Sequence, residues 1–431
     1  MQKLPNELIL EIAGSCSPVG HGRLSRTCKR YWNLLHTGAR LRCNRYRFLS
    51  LAGTDFPDAQ LLEEGRHLVF TLWMDTLYWD PYELPESVNY DSLIERYHYL
   101  LKRIRFRRYL DGKDRRAIRM LLPFLLPNLK HLGMNVDDRG EAILSWCAVW
   151  KVIQQDRLLN LKSITITSIG SLKCLKQLLT INSLRILCLK NCHDGWGRPD
   201  LIFEPRSSKV RILQLQDSMM HPMVLENLLA AFDGLQMFGW DMKRYSDWRG
   251  CDLNNMVAAL CEFHDHSLTT LSLSNKHPNI GRSVLPSFKY LFKLKWLYLD
   301  WFGDTSHFDY TPNVPPRTVL PDLRSNLLDC NEYIPFTLEM LFLDAPSLWV
   351  DRTREDRGRL IKFEKYLVSA PRLKFLYVRQ HIPAIEALAA SRGIQCLVVK
   401  WRPKFPWVKL DKDQEWVTTF PPDGSVQPDL D

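Results

Sequence analysis

The chain has 431 residues, 45% hydrophobic and 25% charged, which places it with folded proteins rather than disordered ones. No apolar run reaches the roughly eighteen residues a membrane span needs, and no basic region followed by a long apolar stretch marks a secretory signal. A formal net charge of +10 suits anionic partners, and eleven cysteines without paired spacing fit reduced thiols in the cytosol or nucleus.

The chain opens on Leu4-Pro5-Asn6-Glu7-Leu8-Ile9-Leu10-Glu11-Ile12. Proline near the first helical position costs no hydrogen bond, and Leu8, Ile9 and Ile12 form an apolar stripe at helical spacing. After a turn at Ser15–Gly20, a second helix is predicted from Leu24 through Leu35, with Leu24, Cys28, Tyr31, Trp32 and Leu35 on its apolar side. The two segments together resemble an F-box, the helical module that binds the Skp-type adaptor of cullin–RING ubiquitin ligases. The resemblance covers roughly residues 3–45, within a helical module over 1–45. It implies that the positions matching Leu4, Pro5, Leu8, Ile12, Leu24, Cys28 and Trp32 serve adaptor contact or the module's own packing. Gly20-His21-Gly22 stands where the family has an acidic residue and two leucines. Each glycine lowers helix propensity by about 1 kcal/mol, so a loosened middle and weaker docking are expected. An ordinary helical cap over the open end of a repeat array is the alternative reading of these residues.

Residues 46–126 read as a linker with the first irregular strands, one ending at Phe48-Leu-Ser-Leu51 and another over Arg66–Trp73, followed by a basic helix. From Arg96 to Arg119 the cations crowd together while Tyr97, Leu100, Leu101 and Ile104 recur at helical spacing. Such a helix is a solvated face or a patch for an anionic partner. No nucleic-acid motif accompanies it, so nucleic acid is not the expected partner.

Residues 127–400 carry a repeat whose clearest copy is Leu184-Arg-Ile-Leu187-Cys-Leu189-Lys-Asn-Cys192. The frame L-x-x-L-x-L-x-x-C recurs with first positions at Leu129, Leu161, Leu184, Val210, Leu235, Leu268, Leu294, Leu338, Leu373 and Ile394. Its strand pairs include Leu187/Leu189, Phe238/Trp240, Leu341/Leu343, Leu376/Val378 and Leu397/Val399. Helical patterns intervene at 141–155, 221–232, 253–263 and 359–369. The chain is similar to irregular leucine-rich-repeat proteins. That resemblance implies an α/β fold, a parallel strand ladder backed by helices, preceded by the small all-helical module.

In such a ladder the leucines point inward, and the alternate residues are expected on an exposed concave face. They run Ile186/Cys188/Lys190, Ile212/Gln214/Gln216 and Thr270/Ser272/Ser274 in the earlier copies. In the later copies they become Trp296/Tyr298/Asp300, Met340/Phe342/Asp344 and Phe375/Tyr377/Arg379. Aromatics flanked by charges compose an interaction hot spot, which makes Trp296, Tyr298, Asp300, Phe342, Asp344, Phe375, Tyr377 and Arg379 the expected substrate-binding residues. A Pro-containing tail over 401–431, with Trp401, Trp407, Trp416 and Phe420, is the alternative cover for the same strip. A long Pro-rich insertion between Leu294 and Leu338 would rim it.

No catalytic set stands out. Cys261, His264 and His266 are close in sequence, but a structural zinc site needs a fourth ligand, and no cofactor is expected. An F-box with leucine-rich repeats implies a non-catalytic substrate receptor of a Skp–cullin–F-box ubiquitin ligase, with adaptor, cullin and a protein substrate as partners. A scaffold using the adaptor outside degradation, and a binder of an anionic partner through residues 96–119, are the alternatives.

Overall fold

The computed structural model describes residues 5–6, 8–9, 12, 48–51, 69–75, 122–123, 126–135, 158–167, 172, 175–192, 202–242, 253–275, 287–300, 334–343, 364–378, 381–398, 408–410 and 416–418. The chain divides into two compact units, Met1–Arg185 and Ile186–Asp431.

The first unit carries β1 (Phe48–Leu51), β2 (Thr71–Asp75), β3 (His131–Asn135), β4 (Ser163–Thr167) and a single turn of helix, α1 (Leu175–Leu178). Each of these strands pairs in parallel with the next in sequence. The register aligns Leu72, Leu132 and Ile164 in one column and Met74, Met134 and Ile166 in another. All six are buried, as period-2 alternation requires of a strand that faces a core. Here β2 begins at Thr71, inside and beyond the 66–73 segment that its apolar run suggested.

The second unit carries β5 (Ile186–Lys190), β6 (Ile212–Gln216), α2 (Pro222–Ala230), β7 (Met237–Met242), α3 (Leu253–His264), β8 (Thr270–Asn275), β9 (Trp296–Asp300), β10 (Met340–Leu343), β11 (Phe375–Val378), α4 (Pro383–Ser391) and β12 (Gln395–Val398). These strands also pair in parallel and in sequence order, while β13 (Val408–Leu410) and β14 (Trp416–Thr418) form a separate antiparallel pair. The described chain is therefore α/β, with parallel strand ladders and few helices, an arrangement compatible with a solenoid-like fold. Among the described residues no helix is long and apolar enough to cross a membrane.

The recurrent leucines hold this arrangement together. Leu187, Leu213, Phe238, Leu271, Leu297, Leu341 and Leu376 fall in one register column, and every one is fully buried. At about 25 cal/mol per Å² of apolar surface, a buried leucine contributes roughly 2 kcal/mol, and only stacked neighbours remove it from water. Trp240 replaces leucine in the next inward column. Its indole N–H is satisfied by the Ser218 carbonyl at 3.1 Å, so the larger ring brings no orphan donor inside.

The turns after the strands explain Cys192. Asn191 and Asp217 follow β5 and β6 with φ of +49° and +46°, the left-handed conformation that their short polar side chains tolerate. This turn drops Cys192 and Ser218 inside. The Cys192 N–H donates to Ser218 Oγ at 3.1 Å, and that hydroxyl donates in turn to the Gln216 carbonyl at 2.8 Å.

One copy of the frame departs from expectation. Ile394 is buried, but the register pairs Leu376 with Cys396 and Tyr377 with Leu397, one residue earlier than Leu397/Val399 predicts. The cause is the end of α4. Gly393 takes φ +71°, its N–H donates to Ala390, and Ile394 N–H reaches back to Ala389. This Schellman turn delivers the chain to the ladder one residue early, and a one-residue slip sends alternate side chains to the opposite face.

Candidate functional site

Two places are expected to carry function, the N-terminal module and the aromatic strip, and a third, Cys261 to His266, gathers potential ligands without the fourth that a structural zinc site needs. At the N-terminus the described residues are Pro5, Asn6, Leu8, Ile9 and Ile12, and Asn6 through Ile12 is helical wherever it is described. The Ile9 N–H donates to the Pro5 carbonyl at 3.2 Å, the first turn that a leading proline permits. Ile9 points inward and is 1% exposed, whereas Leu8 and Ile12, four residues apart on one helical face, are 44% and 41% exposed. The predicted stripe is thus split between an inward isoleucine and an outward apolar pair. Leu4, Leu24, Cys28, Trp32 and Gly20-His21-Gly22 lie outside the described residues.

The second place is the aromatic strip on β9, β10 and β11. The register brings Tyr298, Phe342 and Tyr377 into one column and Trp296, Met340 and Phe375 into the next. The spacing predicted this juxtaposition, but the expected exposure is corrected by the structure. Tyr298, Phe342 and Tyr377 are at most 6% exposed and, with Met340, make a hydrophobic cluster against which Trp296, Phe375 and Leu397 pack. Tyr298 and Phe342 stack with ring centroids 4.2 Å apart and planes 13° from parallel. Strands about 5 Å apart bring large neighbours into face-to-face contact, and Tyr298, Phe342 and Tyr377 pack as core while Trp296 and Phe375 stay partly exposed. The slipped register of β12 adds Leu397 to this cluster, where the sequence frame had placed it inward with the leucines. Asp300 ends β9, while Asp344, Arg379, the insertion between Trp301 and Pro316, and Trp401, Trp407 and Phe420 of the tail lie outside the described residues.

The earlier copies correct the same expectation with different chemistry. Cys188, Gln214, Ser272 and Ser274 alternate with inward leucines yet are buried, and Thr270 is buried beside them. The basic stretch Arg96–Arg119 and the helical pattern over 141–155 lie outside the described residues.

The third place is Cys261-Glu-Phe-His264-Asp-His266. His264, at the end of α3, is buried and uses both ring nitrogens on the backbone. Its Nδ1 accepts from Leu235 N–H at 3.3 Å, so Nε2 carries the proton donated to the Leu229 carbonyl at 2.9 Å. Burial holds its pKa below the ordinary value, which favours that neutral form. The residue ties the end of α2 and the turn before β7 to α3. Burial also pushes the Cys261 thiol up to about 11, away from the thiolate that ligation or nucleophilic attack requires. His266 is exposed on the following turn, where its Nε2 stands 3.2 Å from the Asp265 carboxylate.

Reading strand positions alone missed the turns that precede them. Phe292 and Phe336, two residues before Leu294 and Leu338, are half exposed, as is Tyr290. Aligning the column two residues before each first leucine would have found them. No known protein family matches this chain as a whole or in part, and no curated protein is significantly similar to it.

Proposed function

We propose that this chain is the substrate-recognition subunit of a Skp–cullin–F-box ubiquitin ligase, an F-box module followed by an irregular leucine-rich-repeat solenoid. The observation that carries the proposal is the outward pair Leu8 and Ile12 on the N-terminal helix, backed by inward Ile9. Apolar side chains left open on a short helix are what a helical adaptor groove would cover, and they sit where the sequence resembles the F-box contact positions. The leucine columns of the parallel ladders support the repeat half of the reading. In this account the chain performs no chemistry. It holds a protein where a separately recruited conjugating enzyme reaches its lysines, so its contribution to rate is proximity. Such a subunit works in the cytosol or nucleus.

Co-purification of the tagged chain, probed for both adaptor and cullin, tests the proposal. Recovery of both supports the ligase subunit. Adaptor without cullin supports a scaffold, and recovery of neither leaves a repeat-based binder whose N-terminus is only a cap.

A further inference from the structure

We infer that the turns entering β8, β9 and β10 form a docking ridge for a protein segment carrying carboxylates among apolar side chains. The inference goes beyond the adaptor reading and does not rest on it. Register aligns Thr270, Trp296 and Met340, so His266, Phe292 and Phe336, each four residues earlier, occupy one column on consecutive turns. All three are exposed, Phe292 at 52% and Phe336 at 43%. The His266 ring stacks on Phe292 with centroids 5.9 Å apart and planes at 27°. Asp265 fixes that ring, accepting from the His266 backbone N–H at 2.7 Å and standing 3.2 Å from its Nε2. Tyr290, two residues before Phe292, is exposed as well. Single exposed aromatics are ordinary on a folded protein, but a column of them on consecutive turns is a patch of the kind that marks an interaction surface.

Charge decides the occupant. Lys289 and Lys293 flank Phe292, both are exposed, and neither faces a carboxylate among the described residues. One position after each first leucine, Lys295 and Lys374 both bond Glu339 at 3.1 Å, so two cations share one anion. The shared ion pairs hold Glu339 below the ordinary carboxylate range, which keeps it charged and already engaged. The ridge is therefore aromatic with surplus positive charge, and its complement is acidic and apolar. A nucleic-acid strand, the other anionic occupant, is separated from an acidic protein segment by the oligo-dT arm of the test below. A second copy of this chain, itself carrying +10, is a poor electrostatic match.

The test pans the full-length chain against a random-peptide display library, with a Phe292→Ser, Phe336→Ser chain as counter-selection. Peptides retained by the wild type alone should carry Asp or Glu beside Leu, Phe or Trp. The double substitution should weaken a selected peptide at least about tenfold, as loss of an aromatic anchor does. Lys289→Glu with Lys293→Glu should weaken the same peptide and remove its salt dependence. Melting curves confirm that each variant folds, and Phe292→Lys replaces the serine variant if that one melts early. The assignment is overturned if no peptide distinguishes wild type from variant, or if the discriminating peptides are basic. It is equally overturned if what the ridge substitutions abolish is binding of oligo-dT, or self-association in sedimentation.

Discussion

The two faces of the strands in the second unit bury their side chains by different means. On one face Leu213, Leu271, Leu297 and Leu341 repeat almost unchanged, because each strand presents the same apolar shape to the same kind of neighbour. On the other face the alternate column runs from Cys188 and Gln214 at β5 and β6 through Phe342 and Tyr377 at β10 and β11 to Leu397 at β12. Cys188, Gln214, Phe342 and Tyr377 are buried, so most of that column behaves as a second core layer of graded polarity, while Leu397 at its end and Ile212, Trp296 and Phe375 beside it are only partly buried. The lesson is that strand periodicity identifies which residues share a face, while burial of that face depends on what else in the chain lies against it.

The comparison breaks most readily at Phe342. If the strip is core, Phe342→Ala costs about 3–5 kcal/mol, matching or exceeding the roughly 2–5 kcal/mol expected for Leu271→Ala on the leucine face. Denaturant unfolding of both variants measures the two faces against each other. A loss within about 0.5 kcal/mol at Phe342 would return the strip to the surface.

A smaller effect is expected at Gly234, on the turn before β7. Its φ is +86°, and a Cβ there would stand 2.5 Å from Arg211 Nη1. That guanidinium donates to the carbonyls of Asp233 and Gly234, so it is held in place rather than free to swing aside. Gly234→Ala should cost about 1–3 kcal/mol through left-handed strain and displacement of Arg211. A melting temperature equal to wild type would show that the turn relaxes without cost.

The smallest expected effect is on pH dependence. His264 has a folded pKa below the 6.5 of an exposed histidine, so the unfolded chain binds the proton more readily. The contribution of this residue is fully present above that unfolded value and is lost as pH falls through the folded one. Stability measured from neutral pH downward should therefore decline more steeply in wild type than in His264→Gln. Equal slopes would mean that folding leaves the proton affinity of this histidine unchanged, which would contradict its burial as a neutral ring.

Much of the ladder was legible because its signal is local and repeated. Leu132 and Ile164 in the first unit, and Leu187, Leu213, Leu271, Leu297, Leu341 and Leu376 in the second, all came from one short frame, and the observed registers align them within each unit. The last copy was misread because Gly393 was not recognised as a left-handed helix end that shortens the following turn. The state of the alternate face was illegible, since nothing in a strand's own residues says what covers it. His264 stands near Cys261 and His266 in sequence, and only the positions of Leu229 and Leu235 show what its nitrogens bond. Phe292 and Phe336 were missed because turns were read as connectors, although their column repeats as regularly as the strands do.

The proposal that this chain docks a Skp-type adaptor rests on the outward pair at the N-terminus. The most direct measurement is the affinity of purified adaptor for the full-length chain, wild type beside Leu8→Asp, with melting temperatures recorded for both. Because Leu8 is exposed, the substitution should leave the melting temperature unchanged while abolishing adaptor binding, since docking would bury an unpaired carboxylate. Equal adaptor affinity for the two chains, or no binding by wild type, would contradict the account.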